Sequence, residues 1–397
     1  MHRRRVLFGA IGAGAVLAMR GAPAAGAKMR SVAEFGADGR TTVDVTAAFQ
    51  KAAGSGASVL VIPQGYYRLE GDVHFRDVDL RIDGRITGPG TLHFAGDTRL
   101  SGSGAISSGG AHGPSGFILD GEGTFLVHGL TFEHCRRYAA LLIAPPAGTR
   151  IRSVEIRGCT VRDSNYGVAR AGRVGGAVER AVVRDNVFRD LQGDAIEFDL
   201  AMRDGPIRIE NNDIATIDNT HRRRFWGLGI GISGDRYTAD HDPAHSAKHF
   251  VIRNNRIRNV RQGIHVEAAR DFIIEGNRLD DINERVSPDA GVEPCGIVVI
   301  GSNRFAIRRN MIRNSTVARA IWVKPGNDRS DSTDYTVSHN KVAGHGLIYS
   351  QLKFGPGRMT IRDNVAAGFR FGGSAQGLKF WNNVATDPAV GIELSHQ

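Results

Sequence analysis

Short runs in which apolar residues alternate with polar or small ones recur along the chain and are typical of β-strands with one buried face. The central run is Ile196-Glu197-Phe198-Asp199, which places two carboxylates on the same face, two residues apart. Runs of the same shape follow at residues 229–233, 263–267, 296–300 and 320–324. The recurrence predicts strands that stack on one another in register.

Stacking in register would align the outward positions of these strands in two columns. The first column reads Glu197, Gly231, His265, Val298 and Trp322, and the second reads Asp199, Ser233, Glu267, Ile300 and Lys324. In the first column Gly231 lies between Glu197 and His265, and in the second Ser233 lies between Asp199 and Glu267. The alignment predicts a cleft with a floor of small side chains, and we expect the chemistry of the protein there.

A second repeat, of the form apolar-x-apolar-x-x-Asn-x-apolar, begins near residue 125. Its asparagines are Asn186, Asn212, Asn255, Asn277, Asn310, Asn340, Asn364 and Asn383, with Cys159 in the same position one coil earlier. A period of roughly two dozen residues without a helical pattern indicates a solenoid. Asparagines stacked at turns hydrogen-bond along the stack and tolerate left-handed backbone, so we interpret them, and Cys159, as structural.

The N-terminal part of the predicted solenoid begins with a helix. Residues 46–53 read as a short amphipathic helix after Asp44, and residues 59–67 read as a strand closed by a turn. Together with the phenylalanine-glycine-alanine segment at residues 35–37, this order resembles the entry of pectate-lyase-like right-handed β-helix proteins. The resemblance implies a helix that covers the open end of the solenoid and shields its strand edges.

The first 27 residues predict a targeting signal. Arg3, Arg4 and Arg5 precede a short, glycine-rich and weakly apolar segment, and small residues near 25–27 offer a cleavage site. Paired arginines before such a segment are typical of twin-arginine export. The apolar run is too short for a stable transmembrane helix. We therefore expect an exported, periplasmic or secreted protein.

Composition and charge narrow the classes of partner. The chain has 397 residues and a formal net charge of +10, with 51 glycines and 13 prolines. A basic balance favours nucleic acid, a membrane surface or an acidic polysaccharide, unless arginines simply decorate solvated strands. Because the basic residues are spread over many coils and the protein is expected to be exported, nucleic acid is not the expected partner. The three cysteines have no metal-like spacing, so neither a disulfide framework nor a metal site is predicted.

An irregular step marks the expected binding face. The 43 residues from Asn212 to Asn255 carry two extra loops, at 219–226 and 234–249. Solenoid insertions usually lie on the binding face. The candidate substrate-binding residues are His221, Arg222, Arg223, Arg224, Trp226 and Tyr237 in these loops, with Trp322 and Lys324 on the columns. Aromatic rings would stack on sugars, and the cations would hold acidic substituents.

The carboxylates of the columns favour glycosidic bond hydrolysis. Glu197 and Asp199 lie two coils from His265 and Glu267, roughly 10 Å of backbone at about 4.8 Å a coil. One carboxyl would act as general acid and the opposite one would activate water, with His265 tuning or shuttling the proton. Asp194 lies in a glycine turn and either caps it or joins the catalytic group.

Two other functions fit the same cleft. A polysaccharide lyase would use the basic residues or Ca²⁺ to neutralise a uronate, although no compact string of aspartates requires calcium. A non-catalytic protein would hold the polymer during assembly or export. A lyase would create ultraviolet-absorbing ends, a hydrolase only reducing ends, and a binding protein neither.

Three motifs carry a resemblance to one family. They are residues 190–197 (DLQGDAIE), 226–231 (WGLGIG) and 264–267 (IHVE). In order and spacing they resemble the WcaM-type colanic acid biosynthesis proteins, most strongly over residues 115–285. The resemblance implies an exported right-handed parallel β-helix that works on a bacterial exopolysaccharide, without assigning catalytic residues. We thus expect an all-β, single-stranded solenoid over residues 28–397 with a short N-terminal capping helix.

Overall fold

The structure, a computed structural model, shows a chain wound into successive coils whose strands form parallel sheets. It describes residues 28–40, 43–107, 116–136, 138–171, 175–217, 227–235, 244–283, 292–326, 331–352, 357–373 and 376–395. The predicted export signal lies outside the described residues. No helix within those ranges is long and apolar enough to cross a membrane.

The strands belong to three parallel sheets, which we name A, B and C. Sheet A contains Met29–Ser31, Val59–Ile62, Asp79–Ile82, Thr98–Ser101, Gly123–His128, Arg150–Arg157, Ala177–Val178, Ala181–Arg184, Ile207–Glu210, Ala247–Arg253, Ala269–Glu275, Asn303–Arg308, Thr333–Ser338, Met359–Arg362 and Leu378–Trp381. Sheet B contains Tyr66–Arg68, Arg85–Thr87, Ala105–Ser107, Thr131–Glu133, Thr160–Arg162, Val187–Leu191, Asp213–Ile217, Arg256–Val260, Arg278–Ile282, Met311–Ser315, Lys341–Gly344, Val365–Ala366 and Val384–Ala385. Sheet C contains Val73–Arg76, Leu92–Ala95, Phe117–Leu119, Ala139–Ile143, Tyr166–Arg170, Ile196–Phe198, Leu228–Ser233, Gln262–Glu267, Cys295–Ile300, Arg319–Lys324, Leu347–Gln351, Gly368–Gly372 and Ile392–Ser395.

Each coil contributes strands to the three sheets, and their inward side chains fill one continuous apolar core. Identical positions stack: the rings of Phe250, Phe272, Phe305 and Tyr335 follow one another at 4.6, 4.8 and 4.9 Å between centroids. Burying apolar rings along the axis stabilises every coil against its neighbours. The predicted right-handed parallel β-helix is confirmed.

The predicted asparagine ladder is also present. Each ladder amide donates from Nδ2 to the Oδ1 of the next, at 2.9–3.0 Å, from Asn186 through to Asn383. The backbone N–H of Cys159 begins the ladder, donating to Asn186 Oδ1 at 2.9 Å. Buried amides that satisfy one another in this way fix the coil register.

One detail of the ladder prediction was wrong. The left-handed backbone lies at the residue before each ladder position, for example Asp185 (φ 57°), Asn254 (φ 55°) and Arg309 (φ 55°), and not at the asparagine itself. The preceding residue turns the chain, which leaves the asparagine in an ordinary conformation with its amide pointing along the stack.

The N-terminal helix Thr46–Ala53 covers the first coil, as predicted. Phe49 is fully buried against Tyr67, and the hydroxyl of Thr46 accepts the backbone N–H groups of Glu70 and Gly71 at 2.9 and 3.1 Å. Two 3-10 helices complete the described elements, at Val32–Phe35 and Ala201–Arg203. The helix therefore supplies both apolar cover and acceptors for the first coil.

The outer faces of sheets A and B carry arginine–carboxylate pairs between adjacent coils. On sheet A, Arg253 pairs with Glu210 at 3.1 Å and Arg308 with Glu275 at 2.7 Å. On sheet B, Glu133 is paired with Arg162 of the next coil and with Arg85 two coils before it. Many of the basic residues thus belong to structural pairs, in agreement with the interpretation that arginines decorate solvated strands.

The three cysteines, Cys135, Cys159 and Cys295, are buried and form no disulfide. Burial raises the pKa of the Cys159 thiol to about 11 and that of Cys295 to about 12. Protonated, enclosed thiols of this kind are chemically inert, so these cysteines act in packing.

Candidate active site

The two predicted columns exist on the outer face of sheet C. In the first, Glu197 is paired with Gly231, Gly231 with His265, and the register continues through Val298 to Trp322. In the second, Ser233, Glu267, Ile300 and Lys324 are in register. Asp199 joins the second column through a hydrogen bond, because Ser233 Oγ donates to its Oδ1 at 2.5 Å.

A cavity of about 210 Å³ opens at the start of these columns. Its described lining is Tyr166, Asp194, Glu197, Phe198, Asp199, Leu228, Gly231, Ile232, Ser233 and His265. Gly231 forms part of its floor, as predicted: a Cβ placed there would lie 3.6 Å from Asp194 Oδ2. Glycine therefore leaves room for a ligand directly beside that carboxyl oxygen.

The arrangement of the carboxylates differs from the expected two facing pairs. Asp194, Glu197 and Asp199 all come from one coil: Asp194 precedes the Ile196–Phe198 strand, Glu197 lies within it and Asp199 follows it. Glu267 is 5% exposed and is not part of the cavity lining. Glu267 belongs to the Gln262–Glu267 strand, two coils further on, where its Oε2 lies 3.5 Å from His265 Nε2.

Asp194 is the most perturbed carboxyl group of the site. It is 1% exposed, and its Oδ1 accepts the backbone N–H of Leu228 at 2.7 Å. Burial raises the pKa of Asp194 to about 7; the N–H groups of Leu228 and Gly227 oppose that rise, and the charge of Asp199 adds to it. Near neutral pH this carboxyl is therefore half protonated, with Oδ2 directed toward the Gly231 floor.

Glu197 and Asp199 are half-buried in the same cavity. The hydroxyl of Ser233 links Asp199 to the backbone, because it donates to the carboxylate and accepts the N–H of Leu200 at 3.2 Å. The cavity thus brings Asp194, a carboxyl group that holds its proton near neutral pH, next to two further carboxyl groups, as general acid–base chemistry requires.

His265 occupies the far side of the cavity and is 6% exposed. Its Nδ1 lies 2.7 Å from Gln262 Oε1, and the amide nitrogen of Gln262 donates to the Glu293 carbonyl at 2.8 Å. Gln262 Oε1 is therefore an acceptor, and His265 carries a proton on Nδ1. Nε2 lies 3.5 Å from Glu267 Oε2, so this pair positions the ring.

Two tyrosines close the side of the site toward the N-terminus. Tyr166 lines the cavity, and its ring packs against Tyr138 at 5.4 Å between centroids. Burial and then the nearby carboxylates raise both phenol pKa values, that of Tyr138 to about 12. Both phenols therefore remain protonated, and Tyr166 brings an apolar ring face to the cavity.

Trp322 and Lys324, which were predicted to bind substrate, are not among the residues that line the cavity. Trp322 is 6% exposed, with the Arg319 guanidinium 4.1 Å and the Lys324 ammonium 4.4 Å from its ring centroid. Tyr349 stacks on it at 6.2 Å. The expectation that Trp322 offers an open face to a sugar is therefore wrong for this structure, because cations and a second ring cover it. Lys324 packs on the indole in the same cluster.

The remaining candidates are in the inserted loops. His221, Arg222, Arg223, Arg224, Trp226 and Tyr237 lie outside the described residues. Their roles stay predictions. The described ends of both loops, at Gly227 and Asp235, lie on either side of the Leu228–Ser233 strand.

Sequence reasoning missed Tyr166, Tyr138 and Gln262. A signal for Tyr166 was available, because the sequence Tyr166-Gly167-Val168-Ala169 has the same glycine-apolar form as the later sheet C strands and lies one coil before Glu197. Gln262 gave no comparable signal, since its importance depends on a side-chain hydrogen bond to His265.

Within the part of the chain that the structure describes, no group of three or more His, Cys, Asp or Glu side chains is placed to hold a metal ion. The site is therefore described by its carboxylates, its histidine and its tyrosines.

The fold and the cavity define this protein as a right-handed parallel β-helix with a carboxylate-lined site on one sheet. A sequence model of the family described as "Colanic acid biosynthesis WcaM" matches residues 1–327. The chain belongs to this family.

Curated relatives agree with the family assignment. The chain is 29% identical over 317 residues to the colanic acid biosynthesis protein WcaM of Shigella flexneri, which covers 77% of this chain and 66% of that protein. It is also 29% identical over 295 residues to the protein of the same name from Salmonella typhimurium, covering 70% and 60%. The matched part thus spans less than two thirds of these relatives' length.

Solved structures share the fold at low sequence identity. PfbA, a surface adhesin of Streptococcus pneumoniae, aligns with a TM-score of 0.56 and 16% identity over 92% of both chains. A mutant tailspike protein of E. coli bacteriophage HK620, in complex with pentasaccharide, aligns with a TM-score of 0.52 and 14% identity, covering 92% of this chain and 67% of the tailspike. These structural similarities show that the β-helix fold is shared.

Proposed function

We propose that this protein hydrolyses glycosidic bonds of a bacterial exopolysaccharide at the cavity around Asp194, Glu197 and Asp199. The observation that carries the proposal is the buried carboxyl group of Asp194 in a cavity with two further carboxyl groups. Burial keeps Asp194 protonated up to a pH of about 7, and Glu197 and Asp199 line the same cavity a few residues away. A carboxyl group that keeps its proton near neutral pH, placed beside a second carboxyl group, is the usual basis of acid–base catalysis on sugars.

Each group has a role in the proposed reaction. Asp194 donates its proton to the glycosidic oxygen as the bond from that oxygen to the anomeric carbon breaks. Glu197 accepts a proton from the water that attacks the same carbon. Asp199 raises the pKa of Asp194 and stabilises positive charge on the sugar ring, and His265, held by Gln262, orients a hydroxyl group.

The family supports the choice of substrate class. The curated relatives are named as colanic acid biosynthesis proteins, and a bacteriophage protein of similar fold was solved with a pentasaccharide. An exopolysaccharide is therefore the natural substrate to propose for the cavity. The arginine-rich start of the chain supports a periplasmic or secreted location for this activity.

A lyase is less well supported. A lyase must neutralise a uronate, but the described lining of the cavity contains no lysine or arginine. Arg222, Arg223 and Arg224 lie outside the described residues and keep this alternative testable. A binding protein without turnover is the second alternative, supported by the adhesin among the similar folds.

The test is to incubate purified protein with exopolysaccharide from the producing organism and follow polymer size by size-exclusion chromatography. We expect the wild type to shorten the polymer and to release reducing ends. Asp194→Asn and Glu197→Gln should each reduce the rate by about 10²–10⁴-fold, the usual contribution of a general acid or base. The rate should also fall as the pH rises above 7, because Asp194 then loses its proton.

Three results would decide against the proposal. New absorbance in the ultraviolet would identify a lyase. Polymer that is bound but stays intact would identify a binding protein. Full activity in both variants would place the reaction outside this cavity.

A further inference from the structure

A second cavity lies on the outer face of sheet C, near its N-terminal end. It has a volume of about 280 Å³ and is lined by His74, Phe75, Arg76, His93, Phe94, Ala95, Asp120 and Gly121. Its polar side chains belong to three successive coils, those of Val73–Arg76, Leu92–Ala95 and Phe117–Leu119. None of these residues takes part in the carboxylate cavity described above.

The second cavity shares a column with the first. His74 is in register with His93, and His93 with Ile118. The register continues through Leu142 and Ala169 to Glu197. Four coil steps separate His93 from Glu197, which is roughly 19 Å at about 4.8 Å a step. The two cavities therefore face the same side of the molecule along one straight line.

The polar groups of this cavity are held in place. His93 Nδ1 lies 2.6 Å from Asp120 Oδ2, and His93 Nε2 lies 3.8 Å from Asp72 Oδ2. Asp72 is itself fixed, because its Oδ1 accepts the N–H of Thr91 at 2.9 Å. The imidazole of His74 stacks on that of His93 at 4.5 Å, with 26° between the planes, and is exposed.

The charges of the cavity are balanced. The hydrogen bond to Asp120 raises the pKa of His93, and Asp120 and Asp72 add to this against the effect of burial. His93 thus already lies between two carboxylates, Asp120 and Asp72, and Arg76 is the only arginine or lysine among the described lining residues. Such a group does not favour an anion. It offers carboxylate acceptors for hydroxyl groups and a flat ring on which a sugar face can lie.

We infer that this cavity, formed by His74, His93, Asp120 and Arg76, is a second saccharide subsite that binds an uncharged sugar of the same polymer chain. This inference rests on the proposed function. The intervening strip of Ile118 and Leu142 is half-buried and apolar, so a chain can pass over it from one cavity to the other. Linking two subsites on one chain raises affinity only for ligands long enough to reach both.

The test measures binding of size-fractionated oligosaccharides, prepared from the exopolysaccharide by mild acid, to full-length protein carrying Glu197→Gln. We expect affinity to increase sharply at the length that spans both cavities. His93→Gln and Asp120→Asn should each weaken the binding of the long oligosaccharides at least tenfold and so remove this increase. Neither variant should change the affinity for short oligosaccharides. His74→Ala, which changes only an exposed ring, should reduce it in part. His345→Ala, at an exposed histidine away from both cavities, is the matched control.

The outcomes separate this inference from the proposed function. A length-dependent increase that persists in both His93→Gln and Asp120→Asn would overturn the subsite, as would cleavage of the polymer without any such increase. Competition by inorganic phosphate that is lost in His93→Gln would show an anion site and overturn the assignment to an uncharged sugar. Absence of cleavage by the wild type would instead refute the proposed hydrolysis.

Discussion

Two buried carboxyl groups on different faces of the β-helix behave in opposite ways. Glu133, on sheet B, and Asp194, beside sheet C, are 3% and 1% exposed. Burial by itself raises the pKa of Glu133, but hydrogen bonds from Arg85 and Arg162 outweigh it and hold the pKa below the ordinary value. Burial raises the pKa of Asp194 to about 7, and among the described groups that act on it are two backbone N–H groups and Asp199 but no cation.

The comparison distinguishes carboxylates that pair with arginines and hold coils together from a carboxyl group that can transfer a proton. Where each carboxylate meets an arginine, as on sheets A and B, the charges are fixed and the pair contributes to holding adjacent coils together. Where a carboxyl is buried among amide donors and another carboxylate, its proton is held near neutral pH and can be transferred. Many of the arginines that make the chain basic therefore form ion pairs between coils, and the net charge does not by itself indicate the ligand.

The largest expected effect on stability concerns Asp194. Its folded pKa lies above the unfolded value of 3.8, so the wild type loses stability as the pH rises from about 4 to 7. Asp194→Asn removes this dependence and should be more stable than the wild type above pH 7, by an amount on the order of 4 kcal/mol. Urea unfolding at a series of pH values measures the difference. An identical pH dependence in both proteins would contradict the assignment.

Glu133→Gln should change the stability in the opposite direction and destabilise the protein. The folded pKa of Glu133 is depressed, so its contribution is present above the unfolded value of 4.5 and is lost as the pH falls through the folded pKa. We expect a loss of about 2 kcal/mol at pH 7, which shrinks in acid. Glu179→Gln is the control, because its partner Arg150 is 3.7 Å away and both side chains are largely exposed. Equal losses of stability in the two variants would contradict the expectation that a buried ion pair contributes more than an exposed one.

The smallest expected effect concerns the floor of the carboxylate cavity. Gly231→Ala places a methyl group 3.3 Å from Leu228 Cδ1 and 3.6 Å from Asp194 Oδ2, contacts that the fold can accommodate. Cleavage should fall about tenfold, equivalent to about 1.4 kcal/mol, while stability changes by less than ~1 kcal/mol. Gly175→Ala, which meets Ala147 at 3.3 Å away from the cavity, should leave cleavage unchanged. A fully active Gly231→Ala would show that the ligand does not reach this floor.

Much of the fold could be predicted because it repeats. The alternation around Ile196–Phe198 and the asparagines from Asn186 onward set strand faces and coil register, and both are local patterns that sequence displays directly. The capping helix Thr46–Ala53 was predicted with the same bounds, because its amphipathic pattern after Asp44 is also local. The left-handed corner was misplaced by one residue, since the pattern marks the amide and not the residue that turns the chain.

The site was predicted less completely, because its properties arise between coils. Burial decides the protonation of Asp194, and burial depends on the Leu228–Ser233 strand of the next coil. Arg319 and Lys324 cover the ring of Trp322. The alternation of apolar and polar residues does not predict that these long side chains fold over the indole. The link from His93 to Glu197 needs the register of every strand between them.

The asparagine ladder also determines how such a molecule can change in length. Each rung bonds to the rungs directly above and below it and to a backbone carbonyl of the preceding coil, so the energy of the stack is a sum of nearest-neighbour contributions. A whole coil can then be gained or lost at the far end of the stack while the carboxylate cavity, many rungs away, keeps its geometry. Length becomes a property that evolution can adjust separately from chemistry.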